Sequence, residues 1–203
     1  MGIASELIDL VEYIASKIDI PPIAWVYIPE PRPDPHKAAE FGAVVLEDGS
    51  TGFFYAWLGE SQQEMPRRFK QIQFTGSSPL KFVEFFREND DALRSIGLAM
   101  INAISQHFFR ITNIELATGI DAMASMAFGT DDHVGMVGYF PSLLKRFATQ
   151  GIRVSVVERK THLVASSETV EISLDPAVLA PCNKMLCTGA TLLNDTLEEI
   201  LGE

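Results

Sequence analysis

Apolar residues recur at helical spacing at the start of the chain. Ile3, Leu7, Leu10, Val11, Ile14 and Ile18 form one stripe, and Glu6, Asp9 and Glu12 lie off it. The pattern predicts an amphipathic helix over residues 3–18, stopped by Pro21 and Pro22. Ile23–Ile28 reads as a strand. Pro29, Pro31, Pro33 and Pro35 make the next segment an extended, polyproline-like loop. Two strand-like runs, Phe41–Glu47 and Ser50–Trp57, flank Asp48-Gly49, so this stretch reads as a β-hairpin. Gly59–Ser77 is polar and irregular in pattern, and Pro79–Arg87 reads as helical. Asn89 or Asp90 caps a longer helix that reaches about Phe109. Leu93, Ile96, Met100, Ile101, Ile104 and Phe108 form its apolar face. Gly97, Ala99 and Ala103 are small enough to let it pack closely.

The pattern changes in the second half. Residues 111–130 form a connector with a short helix after Asp121, and Gly129–His133 turns into a central strand. An apolar run, Val134–Val137, then meets Gly138. A helix starts at Pro141, where the missing N–H is no loss, and ends at Gly151. Leu143, Leu144 and Phe147 are spaced to pack on a sheet. Ile152–Val157, rich in β-branched residues, is a second strand, ending at Glu158 and Arg159. A crossover this short favours parallel strands, so the carboxyl ends of both fall on one edge beside a helix N-terminus. Such an edge receives anions and polar ligands. Lys160–Glu168 is polar, Val170–Leu174 is a short strand or extended connector, and Asp175-Pro176 starts a helical turn. Lys184–Cys187 is a third strand. A last helix begins near Asn194–Thr196 and ends at Gly202, with Thr196 and Glu199 at capping-box spacing.

Composition narrows the function classes. The 203 residues are 47% hydrophobic and 21% charged, with net charge −11 and pI about 4.8. A nucleic-acid surface needs a basic patch, and Arg67-Arg68 and Lys145-Arg146 are too sparse to make one. Anionic membrane surfaces are disfavoured for the same reason. No apolar run is long enough to span a bilayer, and the N-terminus does not read as a secretory signal. With two cysteines, a reducing cytoplasm is the expected compartment.

The candidate chemistry gathers at that sheet edge. The turn Gly135–Pro141 is G-x-x-G-Y-F-P, which differs from the G-x-G-x-x-G dinucleotide fingerprint. Tyr139 and Phe140 also crowd the place where a pyrophosphate would approach. Glu158 stands 20 residues past Gly138, near where a ribose-binding acid belongs, but a plain sheet-to-helix turn with a solvated Glu158 fits as well. Thr188, Thr191, Asn194 and Thr196 place hydroxyls and an amide just past a strand end. Such groups bind polar ligands or serve as caps and turns. Cys182 and Cys187 lack a second pair, and His36, His107, His133 and His162 are scattered, so a closed zinc site is not expected. No G-x-S-x-G elbow is present.

Three segments carry a resemblance: SIGLAMINAIS (Ser95–Ser105), VGMVGYFPSLLKRFATQGIRVSVVER (Val134–Arg159) and CTGATLLNDTLEEIL (Cys187–Leu201). In these the chain resembles the family of heavy-metal chelation domains. The resemblance implies an α/β fold: a small α+β lobe similar to the enolase N-terminal domain over residues 1–115, followed by a Rossmann-like parallel-sheet lobe over residues 116–203. It implies a site in the cleft between the lobes. There Asn102 faces the cleft, Gly138, Tyr139, Phe140 and Pro141 form a floor, and Glu158 sits at the second strand's end. Thr188, Gly189, Thr191 and Asn194 close the third side. Relatives continue past TLEEIL, so the second lobe is expected to be abbreviated, with a sheet edge that a homodimer partner would cover.

The first functional expectation is therefore binding of a small polar ligand, a heavy-metal ion or a metal chelate, with a metal ion as the one cofactor implied. The second is an enzyme acting on a nucleotide-like or heterocyclic small molecule. The third is a scaffold whose cleft is incidental.

Overall fold

A computed structural model describes residues 2–30, 41–56, 60–116 and 126–202. The polyproline-like loop from Pro31 to Pro35, Trp57 and the short helix expected after Asp121 lie outside these residues. The chain divides into two compact units, Met1–Leu116 and Ala117–Glu203.

In the first unit, α1 (Ile3–Ala15) precedes strands β1 (Ile23–Tyr27), β2 (Phe41–Leu46) and β3 (Thr51–Tyr55), which form an antiparallel sheet in that order. A bulge between Ile23 and Trp25 turns Ile23 inward, fully buried, and Trp25 outward, 50% exposed. Across the outer face Trp25 stands opposite Val45 and Val45 opposite Thr51. Tyr27 stands opposite Ala43 and Ala43 opposite Phe53, and Phe41 stands opposite Tyr55.

The hairpin turns as its Asp-Gly pair predicts. Gly49 N–H donates to Leu46 O at 2.9 Å and Leu46 N–H to Ser50 O at 2.9 Å, with Gly49 at φ 87°. That left-handed conformation is strained for any side chain, which is why glycine stands there. Asp48 then fastens the turn. Its carboxylate accepts from Ser50 N–H at 2.9 Å and from the Ser50 hydroxyl at 3.0 Å. His107 Nδ1 lies 2.6 Å from Asp48 Oδ2, and the Arg110 guanidinium pairs with the same oxygen. Burial works to raise the Asp48 carboxyl. The hydrogen bonds from His107 and Ser50, and the Arg110 charge, outweigh it and hold the carboxyl at about 2.

The long helix is α3 (Asp91–Ile111), two residues longer than expected, with Asp90 as its cap accepting from Leu93 N–H at 2.9 Å. It lies directly on β3. A Cβ built on Gly52 would come within 2.0 Å of Ala99 O, and one on Gly97 within 2.3 Å of Phe86 N. Small residues on both sides set this close approach.

One expectation for this unit needs correction. Gly59–Ser77 is not irregular throughout, because Glu60–Phe69 forms α2. Met65 and Phe69, one helical step apart, are buried there at 1% and 2% exposure. Their polar surroundings and the internal Pro66 concealed the helical period. Pro79–Arg87 is helical as expected, in the form of two 3₁₀ turns, Pro79–Lys81 and Val83–Arg87.

The second unit is a five-stranded sheet. Its strands are β4 (His133–Val137), β5 (Arg153–Val157), β6 (Ala165–Ser166), β7 (Val170–Ser173) and β8 (Lys184–Cys187), in the order β6-β7-β5-β4-β8. Pairs β4–β5, β4–β8 and β5–β7 are parallel, and β6–β7 is antiparallel. Helix α4 (Pro141–Thr149) joins β4 to β5, with Gly151 beyond its end at φ 69°. Val134, Met136, Val154 and Val156 alternate onto one face and pack with Leu144, Phe147 and Ile152. Val137 packs on the other face with Leu179 and Ile200. After β8 come α5 (Ala190–Leu193) and α6 (Leu197–Leu201). The capping box expected at Thr196 and Glu199 is not formed. Thr196 has helical rather than extended backbone angles, φ −102° and ψ −5°, and its N–H already donates to Thr191 O at 3.1 Å, while its hydroxyl donates to Asn194 Oδ1 at 2.6 Å.

Candidate functional site

Three strands of the second sheet end side by side. Val137 is opposite Val157 in one pairing and opposite Cys187 in the other, so the turns after β4, β5 and β8 leave from one edge. From β4 the chain passes through α4 to β5 and on to β7. It later returns to the opposite side of β4 as β8. The direction of travel across the sheet therefore reverses between β4 and β8. Open parallel sheets leave a ligand crevice at such a reversal, outside the carboxyl ends of the strands.

The turns are in contact with one another. Gly138 N–H donates to Val157 O at 2.9 Å, and Thr188 N–H to Val137 O at 3.2 Å. Gly138 takes φ 97°, and a Cβ there would lie 3.4 Å from both the Phe140 ring and the Thr188 methyl. Glu158 ties the first turn to the second. Its Oε2 accepts from Tyr139 N–H at 3.0 Å, and its Oε1 accepts from Arg159 N–H at 2.9 Å and Lys160 N–H at 3.1 Å.

Within the third turn, Ala190 N–H donates to Thr188 Oγ1 at 3.3 Å and the Thr191 hydroxyl to Thr188 O at 2.8 Å. The exposed Cys187 thiol lies 3.4 Å from that hydroxyl. Gly189 faces open space. Tyr139 and Phe140, each 37% exposed, form an aromatic lip on the β4 side. The backbone N–H groups of Phe140, Ser142 and Gly189 have no partner among the described residues. Two of them belong to the first turn of α4, where the helix dipole adds to their pull on an anion.

Gly138, Tyr139, Phe140, Pro141, Glu158, Thr188, Gly189, Thr191 and Asn194 thus belong to turns that follow the carboxyl ends of adjacent strands. Two have different work from that expected. Glu158 gives its carboxylate to backbone N–H groups, which belongs neither to a ribose contact nor to a solvated side chain. Thr191, 3% exposed, bonds within its own turn. Asn102 belongs to α3 of the first unit, where its amide donates to Phe53 O at 3.3 Å. Ser142 and Cys187 were missing from the expected set. Ser142 was detectable as the residue after a helix-starting proline, the first position there with a free N–H.

The potential metal donors are dispersed. His133, at the start of β4, has Nε2 2.9 Å from Ser155 Oγ, and burial, then the Arg153 charge, push it below the usual histidine value. Burial pushes the Cys182 thiol up. Among the described residues there is no group of three His, Cys, Asp or Glu that could hold a metal ion.

The Glu158 arrangement carries a prediction. Glu158→Ala leaves three N–H groups without their shared acceptor and should cost about 1–2 kcal/mol. The second unit's urea midpoint reads this directly, and an unchanged midpoint would show that solvent replaces the carboxylate at no cost.

Two family models match the chain. Residues 121–203 match DUF364 and residues 38–105 match DUF4213, both described as putative heavy-metal chelation. Each half of the chain thus matches a domain that carries this same description. An uncharacterised protein of Methanocaldococcus jannaschii is 30% identical over 126 residues, a match covering 60% of this chain and 46% of that one. The chain therefore spans about half the length of this curated relative. Two crystal structures of DUF364 family proteins with unknown function share the fold. The one from Pyrococcus horikoshii has TM-score 0.63 and 18% identity, covering 98% of this chain and 72% of that one. The one from Desulfitobacterium hafniense has TM-score 0.58 and 16% identity, covering 98% and 73%. The fold of this chain is mixed α/β, one sheet antiparallel and the other largely parallel. No helix among the described residues is long and apolar enough to cross a membrane.

Proposed function

We propose that the second unit binds a small polar ligand bearing an anionic group, a chelating organic acid or its metal complex, at the carboxyl edge of β4, β5 and β8. The observation behind this reading is the contact between the Gly138 and Thr188 turns where the strand order reverses, 3.4 Å from the Gly138 Cβ position to the Thr188 methyl. Unpartnered N–H groups at Phe140 and Ser142 suit a carboxylate, and the Tyr139–Phe140 lip suits an apolar or planar portion of the same ligand.

The family description supports a metal as cargo. The residues at this edge do not fit a bare ion. Cys187 is a single soft donor, Glu158 is engaged by three N–H groups, and structural metal sites take four protein donors. A metal that arrives with its own organic donors needs few from the protein. A recognised chelate therefore fits this edge better than a coordinated ion.

Calorimetry separates the two. Nickel ion and nickel citrate are each titrated into the chain. The complex should bind, and the ion alone should give no saturable heat. Asn194→Ala, which removes an amide beside the third turn, should weaken the complex by about tenfold, the worth of one lost hydrogen bond. Equal binding of ion and complex would place the donors elsewhere and end this reading.

A further inference from the structure

We propose that the outer face of the three-stranded sheet in the first unit docks a second copy of this chain, face to face about a two-fold axis. The inference is independent of the ligand site. Trp25 is 50% exposed, Tyr27 52%, Phe41 56% and Phe53 62%. The strand pairing puts all of them, with Tyr55, on one side of the sheet, and the Phe41 and Tyr55 rings meet edge to face at 5.8 Å. The opposite side is filled by α3, and among the described residues of the unit nothing accounts for five aromatic residues on the outer one. Exposed apolar clusters of this kind mark interaction surfaces.

Charge and area choose the occupant. The chain carries −11, so two copies repel over most of their surfaces. At the described positions of this face the side chains are Trp, Tyr, Phe, Ala, Val and Thr, with no charged group among them. Such a face is one that an acidic protein can bring against itself. It offers no acidic acceptors to a basic partner and no cations to a nucleic acid. The area suffices as well. Aromatic side chains present about 150–250 Å² each, so four half-exposed ones give about 400 Å² per copy. Val45, Thr51, Tyr55 and the edge strands bring a paired interface to about 1,000 Å², the lower limit for a specific interface and one that suits a dimer dissociating in the micromolar range. Two sheets stacked about 10 Å apart with strands nearly aligned is also a common way for such faces to pack.

The test is sedimentation of the whole chain over a range of micromolar concentrations, with circular dichroism to verify folding. The wild type should dimerise. Phe53→Glu sets two carboxylates against each other across the axis and should weaken the dimer by about a hundredfold, as loss of a central aromatic anchor does. Leu10→Glu, at an exposed apolar position on α1, should leave the dimer intact. If Phe53→Glu fails to fold, Trp25→Ser on the edge strand makes the same reading. A monomeric wild type means the face is covered from within the chain or left in water, and overturns the proposal. A dimer that resists the sheet substitutions, or one that Leu10→Glu breaks, overturns it too.

Discussion

Gly52→Ala is expected to destabilise the first unit more than any other substitution considered. The new methyl would sit 2.0 Å from Ala99 O and 2.6 Å from Ala103 N, both backbone atoms in the middle of α3. No rotamer change relieves a contact between a Cβ and a helix backbone, so the helix must lift off the sheet. Lifting it opens the packing around Ile96, Met100 and Ile104, all fully buried. The cost should be about 3 kcal/mol or more, at the upper end for overpacking. Urea denaturation of wild type and variant measures it, and equal midpoints would mean that α3 is not seated where the geometry puts it. Gly49→Ala is the instructive contrast. It meets no atom within 4 Å, so its cost is that of φ 87° alone, about 1 kcal/mol.

Asp48→Ala should be the second most damaging change. One carboxylate, its side chain 14% exposed, collects the Ser50 N–H and hydroxyl, the His107 ring and the Arg110 guanidinium. It joins the hairpin turn to the last turns of α3. His107 in turn reaches Asp19 O at 3.0 Å, which extends the connection to the chain between α1 and β1. Removing the acid leaves a buried imidazole without its partner and frees the turn, at a cost of about 2–3 kcal/mol.

The acid dependence has a definite sign. The folded Asp48 carboxyl sits at about 2 against 3.8 for the free group, so the folded state binds the proton less readily than the unfolded state. Its stabilisation is fully present above about pH 4 and is lost as pH falls through 2, amounting to about 2 kcal/mol after allowance for solvent at the Arg110 side. Wild type should lose this increment on acidification and Asp48→Asn should not. Parallel acid profiles for the two would remove Asp48 from the account.

What could be read from the residues was what each segment says about its own backbone. Asp48-Gly49, Pro141, Gly138 and Gly151 fix local dihedral angles, and the β-branched runs of β4 and β5 declare buried strands. The parallel β4–β5 pair followed from the short crossover between them. The convergence of Gly138 and Thr188 needed one step more, since β8 had to be placed beside β4 from a resemblance. Side-chain partnerships were out of reach. A carboxylate at position 158 looks the same in sequence whether it waits for a ribose or holds Tyr139 N–H. Nothing local to Asp48 announces His107, 59 residues away. Helix α2 stayed hidden because two buried residues in a polar decade make too weak a period. The Thr196 capping box failed because the preceding turn gives Thr196 helical angles and ties its N–H to Thr191 O.

The Glu158 knot also decides how the edge can respond to an occupant. Glu158 holds its own turn through Arg159 and Lys160, and the β4 and β5 turns are joined by the Tyr139–Glu158 and Gly138–Val157 bonds, so parting them breaks both. Beyond β8 the chain is held by short-range hydroxyl bonds and bends through Asp195 at φ 58°. On the proposed reading, any adjustment to ligands of different bulk falls to residues 188–196, where the Thr191 and Thr196 hydroxyls donate to acceptors within that stretch.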